Sequence, residues 1–443
     1  MVFRSLNRTF ETMSRRYSRS KKLKILLVFS SLNRTFVRDM KKGILFGLIL
    51  FAITAQAGNR IYSPTVKTLT TIVNDDWQNR PVMELGTDDV LTIGFDELSH
   101  NAHRYICHLT RCEADWTEAT EVFESDWLQG FNDYPLDDYQ NSLNTTVLYT
   151  HYELTIPNDQ CRLRMSGNYR LSIYDEDAGH EKVLDAEFYV VEPLVKMQIA
   201  MTTNTDIDAN RSHQQLSMAI TYNDLRIIRP DEELYTVVMQ NWNEKTARLN
   251  PRPSYTNQKG LQWEHHHELI FDAGNEYHKF EVLDVSHPTM GIDRISWDGQ
   301  RYQAYPFATG LRRNYLTDES ANGAFLIRNS DRTEIDYTCD YVWVNYTLQS
   351  NYCGDIYIDG QWTNNNDETA YKMIYDAGSS CYRAQIMQKQ GYYSYHYVTK
   401  EGKTAPTEGN FYQTGNTYQA LVYYKGLGDR TWRLVGYRGL DAR

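Results

Sequence analysis

The sequence predicts an all-β chain of tandem β-sandwich domains, and three observations support this fold class. Tyrosine supplies 34 of the 443 residues, against 15 Phe and 9 Trp, and aromatic residues pack well on the pleated surface of a strand. Apolar and polar residues alternate with a period of two in many short segments after Gly58, as in half-buried strands. Apart from Trp116–Leu128, a weak helix candidate, no segment with helical periodicity is longer than about two turns.

The pattern of residues 58–192 predicts an N-terminal β-sandwich domain. Leu91–Phe95, Tyr169–Ile173 and Glu187–Val191 alternate like strands. The acidic residues and glycine of Asp175–Gly179 indicate a turn between two of them. Seven or so short strands over about 130 residues are typical of a sandwich.

Residues 193–325 predict a middle β domain. Glu192-Pro193 marks its beginning, because proline interrupts a continuing strand. A polar, irregular stretch at Tyr315–Asn322 predicts a linker or long loop at its end. Its predicted strands are Val195–Ile199, Leu216–Ile220, Tyr235–Met239 and Glu268–Phe271.

Residues 326–443 predict a C-terminal sandwich with the clearest pattern. Tyr341–Leu348 alternates so that Val342, Val344, Tyr346 and Leu348 share one face. The other predicted strands are Asp355–Gly360, Gly391–Val398 and Tyr418–Tyr424.

The layout of this last segment resembles an early-set, immunoglobulin-like carbohydrate-binding module. The aromatic positions that carry the resemblance are Trp362, Tyr375, Tyr382, Tyr392, Tyr393 and Tyr395. Exposed rings would stack on sugars, whereas the alternative is that the same rings form the core and cross-strand pairs. A resemblance in layout is an argument about fold and does not establish a ligand.

The pattern of residues 1–57 predicts an export signal rather than a domain. Met40 is followed by Lys41-Lys42, an apolar run from Gly43 to Thr54, and Ala55-Gln56-Ala57, which is the order of a cleavable signal peptide. A membrane-spanning helix needs about 20 apolar residues. We therefore predict translation from Met40, cleavage between Ala57 and Gly58, and a mature chain without direct membrane insertion.

The segment before Met40 contains a repeat. Val2–Phe10 recurs as Val28–Phe36 with one difference, Arg4 against Ser30. A basic targeting extension is one interpretation. Upstream sequence that precedes the true start is the other, and we favour it.

Charge disfavours nucleic acid as a partner. Residues 1–57 contain 12 of the 46 basic residues and two of the 57 acidic ones, so the remainder has a net charge of −21. Such a surface repels phosphate backbones and anionic lipid.

The six cysteines predict buried thiols and at most one or two disulfides. They are Cys107, Cys112, Cys161, Cys339, Cys353 and Cys381. An even number in an oxidising compartment permits bridges, but the sequence does not indicate which residues pair.

No complete catalytic, cofactor or metal motif is present, and we predict that the chain is not an enzyme. Gly402-Lys403-Thr404 lacks the earlier glycine of a phosphate loop, because Tyr397 occupies that position. Asp175–Gly179 resembles the opening of a calcium loop, but Ala186 stands where the bidentate glutamate is required. It is better explained as a hairpin turn.

His265-His266-His267 is the remaining metal candidate. On a strand His265 and His267 would share a face and a metal. An exposed strand edge or turn is the alternative that we favour, because no third ligand is indicated. We predict no metal site and no cofactor.

An ordered set of motifs resembles the plug protein family of the type IX secretion system. The set runs through Cys112–Trp116, Gly130-Phe131, Ser142–Thr145, Tyr149–Asn158, Ser166–Tyr169, Gln240-Asn241, Gly274–Tyr277, Lys389–Tyr393 and Glu408–Tyr412. The resemblance covers essentially all of residues 60–438. Two departures are Gly415, where an acidic residue is expected, and the glycine-rich tail Lys425–Trp432.

The resemblance implies a periplasmic protein, peripherally associated with the outer membrane. It would dock on the outer-membrane translocon barrel and close its periplasmic opening when no cargo passes. The family carries no catalytic residues to transfer, and the sequence does not indicate the partner-binding residues, stoichiometry or release trigger. A periplasmic carbohydrate-binding protein that uses the C-terminal sandwich is the alternative.

Overall fold

A computed structural model describes residues 58–78, 81–364 and 369–442. Ala57–Arg443 form one compact unit. The fold is all-β, as predicted, and its sheets pack in pairs around three hydrophobic cores. The predicted start at Met40, the repeat and the signal peptide lie outside the described residues.

The first sandwich contains strands β1 to β12. One sheet has the order β1-β12-β11-β5-β7, with β3 paired to β12, and the facing sheet has the order β2-β4-β9-β8. Its core includes Phe95 and Tyr152 from one sheet and Tyr105, Tyr169 and Leu171 from the other. The strands are β1 Arg60–Ile61, β2 Val66–Val73, β3 Val82–Glu84, β4 Leu91–Glu97, β5 Tyr105–Cys112, β6 Leu128–Gly130, β7 Tyr134–Leu136, β8 Tyr139–Asn141, β9 Thr150–Ile156, β10 Cys161–Leu163, β11 Gly167–Asp175 and β12 Glu181–Val191.

The second sandwich is built from two distant parts of the chain. One sheet has the order β13-β14-β18-β17 with β19 on β14, and the other has the order β16-β15-β30-β31. Leu234 pairs with Tyr424 across this second sheet. The strands are β13 Lys196–Thr202, β14 His213–Thr221, β15 Leu234–Gln240, β16 Arg248–Leu249, β17 Tyr255–Asn257, β18 Gly260–Trp263, β19 Ile270–Asp272, β30 Asn416–Tyr424 and β31 Arg433–Ala442.

The third sandwich is inserted between β19 and β30. One sheet has the order β20-β29-β24 with β26 on β29, and the facing sheet has the order β21-β22-β25-β28-β27 with β23 on β25. The strands are β20 His278–Val282, β21 Ile292–Trp297, β22 Tyr302–Pro306, β23 Thr309–Gly310, β24 Phe325–Ile327, β25 Tyr341–Gln349, β26 Tyr357–Asp359, β27 Ile374–Asp376, β28 Cys381–Lys389 and β29 Gly391–Val398.

Helices are short throughout the described ranges. The α-helices are α1 Glu124–Trp127, α2 Pro230–Glu233 and α3 Ile335–Thr338, and the 3-10 helices are Glu244–Thr246, His267–Leu269 and Gln361–Thr363. The predicted helix at Trp116–Leu128 is therefore wrong except for its last turn. Among the described residues, no helix has the length and apolar character needed to span a bilayer.

Strand pairing departs from the predicted serial division. β20 to β23 belong to the third sandwich although they precede residue 326, and β30 and β31 return to the second sandwich although they follow it. Segments 193–325 and 326–443 therefore do not coincide with the sheets. The predicted strand Glu268–Phe271 begins only at Ile270, because a 3-10 turn occupies His267–Leu269.

The alternation in Tyr341–Leu348 is confirmed. Val342, Val344, Tyr346 and Leu348 are all buried on one face of β25. The stretch from Tyr315 to Asn322 contains neither helix nor strand, as predicted.

Candidate functional site

A buried ion pair joins the first sandwich to the third. The carboxylate of Asp96 on β4 is fully buried, and its Oδ2 lies 2.7 Å from Nζ of Lys389 on β28. The Tyr341 hydroxyl donates to the same oxygen at 2.6 Å, and His151 Nδ1 lies 2.7 Å from Oδ1. Burial alone would raise the pKa of Asp96, but the charges of Lys389 and His151 hold it below its ordinary value.

An arginine joins the first sandwich to the second. Arg111 on β5 is buried, and its guanidinium donates to the Thr431 hydroxyl, to the Ser166 carbonyl at 2.9 Å and to the Trp432 carbonyl at 2.5 Å. Nearby, the Tyr423 hydroxyl donates to Asn168 Oδ1 at 2.8 Å. The glycine-rich tail that precedes β31 is therefore held against β5, and β30 is held against β11.

A third buried cluster lies where the chain enters and leaves the third sandwich. Asn275, ahead of β20, donates to the carbonyl of Glu408 at 2.8 Å. The Glu408 carboxylate contacts the Arg312 guanidinium, lies 3.2 Å from His278 Nε2 and accepts from the Tyr397 amide at 2.9 Å. Burial would raise its pKa, but His278 and Arg312 lower it to about 2.

These joints contain residues from the motifs that carry the family resemblance. Asn168 belongs to Ser166–Tyr169, Lys389 to Lys389–Tyr393, Asn275 to Gly274–Tyr277 and Glu408 to Glu408–Tyr412. The side chains of Asn168 and Lys389 link sandwiches to one another, whereas those of Asn275 and Glu408 fasten the segments that enter and leave the third sandwich. All four are buried. These motif residues thus serve to fix three sandwiches as one body.

A groove of about 680 Å³ lies beside this third cluster. It is bordered by β20 and the irregular segment after β22. Four of its side chains are apolar and exposed, among them Leu316 with 78% of its surface free. They are Met290, Phe307, Leu311 and Leu316.

The polar side of this groove carries both basic and acidic side chains. Lys279 and Arg313 line it, and Lys279 Nζ lies 2.6 Å from Asp318 Oδ1. A contiguous apolar patch with a polar rim is the usual character of a protein-interaction surface. The groove is therefore the candidate docking face. Only the irregular stretch at Tyr315–Asn322 hinted at this groove in the sequence, because the exposure of single apolar residues has no local pattern.

The histidine cluster does not form the strand face that a shared metal would require. His265 has a φ of +51° and His267 begins a 3-10 turn, so the premise that alternate residues face one metal fails. His265 is exposed, and its Nδ1 lies 2.9 Å from Asp206 Oδ1. The hydrogen bond to Asp206 raises the pKa of His265.

Two other histidine–carboxylate groups bring potential ligand atoms together within the described ranges. They are His103 with Asp175 and Asp177, and His151 with Glu153 and Asp336. His103 Nδ1 lies 2.7 Å from the carboxylate of Asp175. His151 Nδ1 lies 2.7 Å from the carboxylate of Asp96, which is outside the group. Asp175 also closes the β11–β12 hairpin by pairing with Glu181, which confirms the interpretation of Asp175–Gly179 as a turn.

The aromatic ladder of the third sandwich lies in its core. Tyr393, Tyr395 and Tyr397 are 3%, 3% and 1% exposed. Phe280 stacks on Tyr393 with centroids 5.5 Å apart. Of the six rings that carry the resemblance to a carbohydrate-binding module, five are buried and Tyr375 is exposed.

The six cysteines are all free thiols, and five of them are buried. Burial raises the pKa of Cys112, Cys161 and Cys339 to about 12. The prediction of buried free thiols is confirmed.

Comparison with known proteins gives a family match for the first sandwich and a structural match for the whole fold. Residues 66–192 match the family model for the type 9 secretion system plug protein, first domain. The crystal structure of a hypothetical protein from Parabacteroides merdae ATCC 43184 superimposes with a TM-score of 0.84 at 33% identity, covering 87% of this chain and all of that one. No curated protein matches the chain.

Proposed function

Because the chain belongs to the plug protein family of the type IX secretion system, we propose that it is a periplasmic plug. In this proposal it docks on the outer-membrane translocon barrel and closes the periplasmic opening when no cargo passes. The family match over residues 66–192 carries the proposal. A plug is a non-catalytic role, and we propose no reaction for the chain.

The joints between the sandwiches support a blocking role. A wide barrel leaves a water-filled lumen that only folded protein can obstruct. If the domains were loosely tethered, their thermal motion relative to one another would disturb the contact that closes the barrel. Here Asp96–Lys389 and Arg111 connect the first sandwich to the third and to the second through buried contacts, so the molecule presents one continuous body.

The groove supports a reversible contact. A gate must bind tightly enough to seal and weakly enough to leave, which favours an interface of mixed apolar and polar character over an obligate one. Phe307, Leu311 and Leu316 supply apolar anchors, and Lys279 and Arg313 supply the polar rim. We propose that the periplasmic side of the translocon barrel occupies this groove.

Affinity capture tests the proposal. The chain from residue 58, tagged at its C-terminus, is incubated with detergent-solubilised outer membranes of its own bacterium, and retained proteins are identified by mass spectrometry. We expect enrichment of one very large outer-membrane barrel over untagged resin. Absence of a barrel, together with retention of the chain on a glycan column, would instead support the carbohydrate-binding alternative.

A further inference from the structure

Gly58, the first residue of the predicted mature chain, lies at a buried carboxylate. Its backbone nitrogen donates to Oε2 of Glu187 on β12, and Gly58 itself is buried. The other oxygen of Glu187, Oε1, accepts from Arg170 Nε at 2.8 Å. Both carboxylate oxygens are therefore engaged, one by a guanidinium and the other by the position that becomes the amino terminus.

The residues after Gly58 hold this position firmly. Asn59 accepts from the Glu187 amide at 2.9 Å through Oδ1 and donates to Thr71 at 3.1 Å through Nδ2. Arg60 then pairs with Asp185 as β1 adds to β12. The start of the chain is thus part of the first sandwich.

The carboxyl group of Glu187 is costly to ionise while the Gly58 nitrogen is an amide. Burial and the charge of Glu244 raise the pKa of Glu187 to about 7, against the opposing effect of Arg170. The titratable and charged groups that face it are Arg170 on β11, Glu244 in a 3-10 helix and Cys112 on β5. One further positive charge at Gly58 would compensate a buried carboxylate that is otherwise costly to ionise.

We propose that Glu187 is the binding site for the α-ammonium group that is created when the chain is cut after Ala57. Signal peptidase hydrolyses the Ala57–Gly58 amide with one water, which leaves a carboxylate on Ala57 and an ammonium group on Gly58. The new ammonium forms an ion pair with Glu187 Oε2. Cleavage thereby completes the core of the first sandwich, and the processed chain is more stable than the same chain with any residue left in front of Gly58.

Gly58 suits this site because of its size and conformation. Its φ is +114°, a region that L side chains rarely adopt. A residue without a side chain is therefore favoured at the position immediately after the cut. After cleavage, the ammonium nitrogen of Gly58 carries three N–H donors, whereas the amide nitrogen carried one.

Amine reactivity and thermal stability test the site. Two chains are compared, one that starts at Gly58 and one that retains Ala57. Reductive methylation at pH 7.4 should modify the α-amine of the chain that starts at Gly58 about tenfold more slowly than the α-amine of the chain that retains Ala57. This ratio corresponds to a pKa of the Gly58 α-amine that is raised by one unit. Equal rates would overturn the proposal, and this measurement needs no substitution.

Glu187→Gln provides the second measurement. It should lower Tm more in the chain that starts at Gly58 than in the chain that retains Ala57, since only the first contains the ion pair. Asp340→Asn removes a buried carboxylate in the third sandwich that accepts from Thr146, and it should lower Tm equally in both chains. An equal effect of Glu187→Gln on both chains, or an exported protein that does not begin at Gly58, would overturn the proposal.

Discussion

At the scale of single residues, Asp96 and Lys389 illustrate how a charge pair far apart in sequence fixes one arrangement. Both side chains are almost fully buried. Removing two charges from water offsets most of their attraction, so such a pair adds little net stability. Removing one partner, however, leaves the other charge unpaired at a cost of about 3–5 kcal/mol. The pair therefore selects the docked arrangement of the first and third sandwiches over others.

Glu408 provides a prediction for pH. Its pKa falls from 4.5 to about 2 in the folded chain, so the unfolded state binds a proton first as pH decreases. The stabilisation is present above about pH 4.5 and is lost as pH falls towards 2. We expect Glu408→Gln to cost about 3 kcal/mol near neutral pH and progressively less in acid. Urea denaturation between pH 3 and 7 measures this.

The matched control for Glu408 is Glu181→Gln. Glu181 is an exposed carboxylate at the start of β12, and its replacement should change the free energy of unfolding by less than about 0.5 kcal/mol at each pH. A Glu408→Gln variant whose deficit is the same at pH 3 and pH 7 would contradict the assigned role.

At the scale of elements, local patterns identified strands but not their partners. Val342 to Leu348 could be assigned because alternation is a property of neighbouring residues. The pairing of Leu234 with Tyr424 could not, because register between strands nearly two hundred residues apart has no local signature. The insertion of the third sandwich into the second follows from that pairing. The groove was missed for a related reason, since it is formed by segments that meet only after folding.

The groove carries the element-scale prediction. Leu311→Asp combined with Leu316→Asp places two charges where apolar anchors would be buried against a partner. We expect retention of the translocon barrel in the capture experiment to fall at least about tenfold, equivalent to about 1.4 kcal/mol, with the free energy of unfolding unchanged. Leu249→Asp on β16 is the control, because Leu249 is also exposed but lies outside the groove.

The outcomes of the capture experiment distinguish an error in the docking face from an error in the partner. If the double variant retains the barrel as well as the wild type does, the docking face lies elsewhere on the molecule. If the wild type itself retains no barrel, the partner assignment fails before the groove is tested.

At the scale of the whole molecule, buried joints make three sandwiches act as one body. The joints of the first sandwich to the third and to the second are polar, with Asp96–Lys389 and Arg111 at their centres. Polar joints require defined hydrogen-bond geometry, so they tolerate fewer relative orientations than apolar contacts do. The motifs that resemble the plug family were recognisable in the sequence, but their role in the joints was not, because their partners lie in other sandwiches.

Deletion of the chain gives the prediction for the whole molecule. If the chain closes the translocon, its loss leaves a wide aqueous lumen open. Secretion should continue, while the outer membrane becomes permeable to hydrophilic molecules of about the size of vancomycin. Growth inhibition by vancomycin and release of periplasmic marker enzymes measure the leak. Wild-type chain supplied in trans should restore the barrier, Leu249→Asp should restore it equally, and the Leu311→Asp, Leu316→Asp double variant should not. A deletion strain with normal levels of the barrel and unchanged permeability would contradict closure, because an unplugged lumen of that width cannot exclude such solutes.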